Sequence, residues 1–137
     1  MISEKTQKYM YGIFRILVGA GFLMHGGQKL FGWFGGPGGN GPVAVMTTFG
    51  FAGIVEVIVG TLVILGLFVS LAAIFGALNM IGAWALVHIK GGFNPLTNGG
   101  ELAMLYFASF LVLIAYGAGV WSLERALFKK EFMHIGH

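Results

Sequence analysis

The chain has 137 residues, of which 57% are hydrophobic and only 9% are charged, against about 25% charged in an ordinary soluble domain. A soluble domain needs more polar side chains to cover its surface, so we expect one membrane-embedded domain over residues 1–137, with almost no mass outside the bilayer. The small excess of 8 basic over 5 acidic residues sits at the chain ends and predicts no nucleic-acid surface, and the lack of cysteine excludes disulfides, thiolate nucleophiles and cysteine-ligated metal or iron–sulfur centres.

The first predicted transmembrane helix spans about residues 9–33 and is the most polar of the chain. Arg15 lies near one of its ends and Lys29 near the other, and we expect both long side chains to snorkel to the lipid headgroups. A segment rich in glycine and proline, residues 35–42, is incompatible with a helix and forms the first loop.

The next two helices are placed by an uncharged stretch, residues 57–89. This stretch is too long for one span of roughly 20 residues and too short for two. Two helices fit only if the first begins near Phe49, which places Glu56 inside the membrane. The predicted second, third and fourth helices are therefore about 49–68, 71–89 and, after a glycine-rich loop, 102–121.

The basic residues predict the orientation of these four helices. By the positive-inside rule the side with more cations, which holds both termini, is cytoplasmic. We therefore predict an all-α, four-helix bundle that crosses the prokaryotic cytoplasmic membrane four times. A three-span alternative explains the charges less well. In the four-span arrangement Lys5, Lys8, Arg15, Arg125, Lys129 and Lys130 share one side, and Lys29 and Lys90 share the other.

Polar residues from all four predicted helices collect in one layer at the outer side of the bundle. Ionisable groups at membrane depth cost several kcal/mol unless they are paired, which makes this layer a candidate functional site. The layer consists of His25, Gln28 and Lys29 on the first helix, Glu56 on the second, His88 on the third and Glu101 on the fourth.

Each member of this layer also has a structural explanation. Glu56 can serve only as an ion-pair partner of Lys29 or Arg15. Glu101 can simply offset the positive end of its helix dipole. Asn79, in the middle of the third helix, is more often a contact between helices than part of a site. The convergence of the residues, rather than any one of them, indicates a function.

The segment from His25 to Gly38, HGGQKLFGWFGGPG, resembles the signature of the DoxX family of small four-helix membrane proteins. That signature is close to H-G-x-Q-K-L-F-G-x-F-G-G-x-G. Glu56 followed by Gly60 is similar to the second helix of the family, and residues 98–101 are similar to its entry into the fourth. One motif differs, because Val69-Ser70-Leu71 replaces a Thr-Arg pair, and we expect a cytoplasmic-side arginine contact to be missing.

The resemblance implies a membrane component linked to respiratory redox chemistry, since relatives include the quinone-reducing membrane subunit of thiosulfate:quinone oxidoreductase. A quinone site needs an apolar slot, donors to the quinone oxygens and a proton source. Electrons would come from a partner or a bound haem, because the chain has no cysteine or flavin motif. The predicted quinone-binding residues are His25, Gln28, Lys29 and His88, and the predicted proton-relay residues are Glu56 and Glu101.

A non-catalytic scaffold or assembly subunit is a nearly equal alternative, because four short helices with little extramembrane mass are typical of accessory subunits. The sequence therefore does not decide whether the chain is itself an enzyme. Haem ligation by His25 and His88 is a weaker alternative, since pairs of histidines arise by chance. We predict no metal site and no resident cofactor. The predicted partners are the lipid bilayer, other membrane or peripheral redox subunits and a second copy of the chain.

Overall fold

A computed structural model describes residues 1–129, and Lys130, which was counted above with the cytoplasmic cations, lies outside the described residues. Within that range every regular element is a helix, and four long helices form the bundle while two short ones lie at its ends. The helices are α1 (Glu4–Phe31), α2 (Thr48–Leu65), α3 (Val69–Leu86), α4 (Pro95–Asn98), α5 (Glu101–Tyr116) and α6 (Leu123–Phe128).

Local signals set the helix ends. The side chain of Ser3 accepts from the backbone of Thr6 and starts α1, and Gly32 ends it with a left-handed φ of 71°. Gly66 ends α2 in the same way with a φ of 69°. The bundle therefore has two distinct ends. The loop end holds the connections 32–47 and 87–100, and the turn end holds the tight α2–α3 turn and the segment 117–128.

The outer surface of the bundle is apolar. Residues on all four long helices, among them Leu17, Ile58, Phe75 and Leu111, are at least 50% exposed. Two segments, Thr48–Leu65 and Val69–Gly91, are long and apolar enough to cross a membrane, while the apolar helix α5 is shorter. Large apolar side chains that face outward suit hydrocarbon rather than water. The chain is an all-helical membrane protein.

Glycines bring α1 and α2 unusually close together. Gly19 and Gly26 on α1 face Gly60 and Gly53 on α2, each pair at a spacing of seven residues. A Cβ atom on Gly60 would lie 2.5 Å from the backbone nitrogen of Leu23 and 2.8 Å from the carbonyl oxygen of Gly19. Small residues permit this backbone-to-backbone contact between membrane helices. The α1–α2 pair is therefore the rigid part of the bundle.

Substituting Gly60 with alanine should separate α1 from α2 and cost about 1–3 kcal/mol of stability, because the added methyl group meets backbone atoms. Gly82→Ala on α3 is the matched control, since a Cβ atom there meets nothing within 4 Å. This control should gain up to about 1 kcal/mol from helix propensity. Thermal unfolding of both variants in a mild detergent measures the two effects, and equal shifts would contradict the close contact.

Arg15 holds the turn end together. Its side chain is completely buried, so the prediction that it snorkels to the headgroups is wrong. The helix extends past Arg15 to Glu4, and the guanidinium points into the bundle. Its nitrogens donate to five backbone carbonyl oxygens, those of Val63 (3.0 Å), Ile64 (3.4 Å), Ala118, Val120 (2.8 Å) and Trp121 (3.0 Å).

The arginine contact that was expected to be missing is thus present, but α1 supplies it rather than the start of α3. Two further contacts close the same end. Glu124 accepts a hydrogen bond from the backbone of Phe68 at 2.9 Å, and Ser122 donates to the carbonyl oxygen of Gly66 at 3.0 Å. The segment after α5 is therefore locked onto the α2–α3 turn.

Candidate functional site

An ion pair lies inside the bundle in its loop half. The Nζ atom of Lys29 donates to both carboxylate oxygens of Glu56 at 2.7 Å. Their side chains are 17% and 4% exposed. Lys29 is on the last turn of α1, and the close packing of Gly53 against it directs its side chain along α2 toward Glu56. Of the two predicted partners of Glu56 it is Lys29 that pairs, so Lys29 does not snorkel to the headgroups.

The glycine-rich signature builds the loop end above this ion pair. Gly26 packs against Val57 of α2, and Gly27 lies under the ring of Trp33, where no side chain would fit. Gln28 donates to the carbonyl oxygen of Gly36 at 3.5 Å. The motif thus folds the chain back over the end of α1 and fixes the position of Lys29.

A cavity of about 620 Å³ lies between α1, α2, α3 and α5 beside the ion pair. This volume is in the range of small-molecule sites. Phe22, Val55, Phe75 and Leu102 are among the apolar residues that form its walls. The polar residues that line it are His25, Lys29, Thr48, Glu56, Asn79, His88 and Tyr106.

The polar groups are spread along the length of the cavity. Glu56 and Asn79 lie near the middle of α2 and α3 and form its floor, whereas His88 follows the end of α3 and lies at its mouth. At 1.5 Å per helical residue, the distance along α3 from floor to mouth is about 13 Å. A ring-sized molecule therefore meets polar groups at both ends and apolar walls between them.

Tyr106 and His25 form the side of the cavity between α5 and α1. Their rings meet edge to face with centroids 5.8 Å apart. The Tyr106 hydroxyl lies directly over Gly21, where a side chain would collide with it. The glycine thus lets the hydroxyl approach α1 and leaves it beside the imidazole.

Hydrogen-bond donors exceed free acceptors in this lining. Both oxygens of Glu56 already accept from Lys29, and the charges of the two side chains cancel. The amide nitrogen of Asn79 is buried and makes no hydrogen bond within the described residues, and Tyr106 carries a further hydroxyl donor. The arrangement suits an uncharged molecule that carries acceptor oxygens.

The structure brings together four of the six predicted site residues, namely His25, Lys29, Glu56 and His88, in the lining of one cavity. Gln28 lies outside the lining and is bonded to the loop. Glu101 is exposed at the first turn of α5. Within residues 1–129 no group of three or more His, Cys, Asp or Glu side chains is placed to hold a metal ion.

Asn79 and Tyr106 complete the cavity but were not in the predicted site. The sequence signal for Asn79 was its position in an otherwise apolar helix at the same depth as Glu56. No comparable signal marked Tyr106, because tyrosine is common near membrane interfaces.

Fold and site together define a class of protein: a small helical membrane protein whose glycine-packed helices enclose a cavity with a buried ion pair. The DoxX family model matches residues 11–89, a range that contains His25, Lys29, Glu56, Asn79 and His88. The chain belongs to the DoxX family, which confirms the resemblance drawn from its signature.

Two relatives match most of the chain. An uncharacterized protein of Haemophilus influenzae is 37% identical over 131 residues, which cover 93% of this chain and 97% of the relative. An uncharacterized membrane protein of Mycobacterium tuberculosis is 32% identical over 130 residues, which cover 85% of this chain and 80% of the relative. No solved structure matches the chain.

Proposed function

We propose that this protein is a subunit of a respiratory redox complex and that its cavity binds the ring of a quinone. The observation that carries the proposal is the lining itself, in which donors exceed acceptors and the ionised side chains have no net charge. A quinone ring is flat, apolar and uncharged, and its two carbonyl oxygens only accept hydrogen bonds. Asn79, Tyr106 and His25 supply donors, and the aromatic and aliphatic walls supply the apolar slot.

Conversion of a quinone to a quinol takes up two electrons and two protons. A partner subunit delivers the electrons, and the Lys29–Glu56 pair is the proton-exchanging group at the cavity floor. Gln28 and Glu101 do not line the cavity, so we leave them out of this site.

The same proposal includes four membrane spans with both termini in the cytoplasm. Its support is the length of α1, the apolar surface of α5 and the excess of cations near the termini. The loop end then faces outward, and a quinone reaches the cavity from the outer leaflet.

Single cysteines test this topology, because the chain has none of its own. Asn40→Cys and Thr97→Cys, both exposed at the loop end, should react with an impermeant thiol reagent added to intact cells. Lys5→Cys at the other end should react only after the membrane is permeabilised. Labelling of Lys5→Cys in intact cells without labelling of Thr97→Cys would contradict the proposed orientation.

Quinone binding to the purified protein tests the proposed function. His25→Ala should weaken the binding of a short-tailed para-benzoquinone by about tenfold, which corresponds to 1.4 kcal/mol. Met24→Ala is the matched control, because Met24 is the neighbouring residue on α1 and faces outward. If wild-type protein does not bind the quinone, or if both variants bind it equally well, the quinone proposal fails.

The scaffold function remains the second candidate, and one observation favours it. The Lys29–Glu56 pair is complete within the chain, as a purely structural ion pair would be. In that case His25→Ala in the native complex should reduce the amount of co-purifying subunits, while quinone turnover per surviving complex stays normal. Haem ligation by His25 and His88 predicts a Soret band in the absorption spectrum of the same preparation.

A further inference from the structure

One polar atom inside the bundle has no partner. The amide nitrogen Nδ2 of Asn79 is buried and makes no hydrogen bond within residues 1–129. Asn79 lies in the middle of α3 and lines the cavity floor. A mid-helix asparagine normally bonds to a neighbouring helix, so its lack of such a bond needs a physical explanation.

Glu56 is the neighbouring group that could accept this bond. Its carboxylate lies beside Asn79, but both of its oxygens are held by Lys29 at 2.7 Å, and the geometry of a hydrogen bond from Asn79 is not reached. Ser70, nine residues earlier on α3, shows what a true interhelical bond looks like. Its hydroxyl donates to the carbonyl oxygen of Ile114 on α5 at 3.2 Å.

A buried donor without an acceptor lowers the stability of the protein that contains it. A donor of this kind at the floor of a cavity is explained if its acceptor arrives with a bound molecule. Because the lining carries no net charge, that acceptor is an uncharged oxygen, such as a carbonyl, rather than a carboxylate or a phosphate.

We propose that Asn79 is a ligand-recognition residue whose amide donates a hydrogen bond to a carbonyl oxygen of the bound ring. This inference rests on the proposed quinone site and adds the pose of the ring. One carbonyl oxygen points down to the cavity floor between α2 and α3. The remaining ring substituents point toward His88 and the loop end.

Asn79→Leu tests the proposal, because leucine has nearly the same size and no donor. In the absence of ligand this variant should melt at the wild-type temperature or above it, since the unpaired amide is gone. Its affinity for a short-tailed para-benzoquinone should fall about tenfold. Ser70→Ala is the matched control on the same helix and should melt lower than wild type in the absence of ligand.

A second probe shows whether the carbonyl is the group that is recognised. An alkylbenzene without ring oxygens should bind wild type and Asn79→Leu equally, so the preference for the quinone over this probe should shrink in the variant. If Asn79→Leu melts lower, as Ser70→Ala does, and binds the quinone as wild type does, Asn79 is an interhelical contact and the inference is overturned. If wild type binds no quinone, the proposed function fails and the inference fails with it.

Discussion

Replacing Arg15 with leucine should lower the free energy of unfolding by on the order of 5 kcal/mol, because five buried carbonyl oxygens lose their donor at once. Three connected parts of the turn end would separate, namely the end of α2, the α2–α3 turn and the segment after α5. Arg15→Lys should recover only part of the loss. A single ammonium group cannot reach carbonyls arranged around a planar guanidinium.

Thermal unfolding in a mild detergent and the amount of protein in isolated membranes measure this effect. Lys8→Leu is the control, because Lys8 is a basic residue on the same helix that is exposed. We expect little change in that variant. An Arg15→Leu protein that accumulates and melts like wild type would show that the carbonyls find other donors.

The second large effect concerns the Lys29–Glu56 pair. Glu56→Gln leaves the ammonium of Lys29 without a counter-charge, and Lys29→Met leaves the carboxylate of Glu56 in the same state. Each substitution should cost about 3–5 kcal/mol. The double variant contains no isolated charge and should be markedly more stable than either single variant.

A double-mutant cycle on unfolding free energies measures this coupling. Glu101→Gln serves as the control, and because Glu101 is exposed its effect should stay within about 0.5 kcal/mol. If the two single costs simply add in the double variant, the side chains act independently and the buried pair does not stabilise the loop half.

The fold was largely predictable from the distribution of charge. The uncharged stretch 57–89 required two helices and placed Glu56 inside the first of them, as the structure has it. Helix ends were less predictable because single residues decide them. Ser3 starts α1 before residue 9, and Gly117, with a φ of 70°, ends α5 before residue 121.

Arg15 shows what the sequence could not reveal. Its position in the chain is compatible with snorkelling, and only its contacts exclude that. The acceptors on Ala118, Val120 and Trp121 lie more than a hundred positions away along the chain. No local pattern connects them to a residue on α1.

The candidate site was predictable in depth but not in direction. Counting along each helix placed the polar residues in one layer, and His25, Lys29, Glu56 and His88 do share a cavity. Whether a side chain at that depth faces the cavity depends on the rotation of its helix, which is why Gln28 bonds to the loop instead. The seven-residue spacing of glycines on α1 and α2 was the available signal for that rotation.

The Arg15 cluster also constrains the order in which the protein assembles during synthesis. The arginine belongs to the helix that leaves the ribosome first, whereas three of its five acceptors belong to residues synthesised near the end. Until then the guanidinium has at most the carbonyls of Val63 and Ile64 in reach, and it needs water or headgroups to satisfy its remaining donors. The first helix therefore cannot settle at its final depth before translation of the last segment, so a nascent chain truncated before residue 118 should be retained at the insertion machinery or degraded.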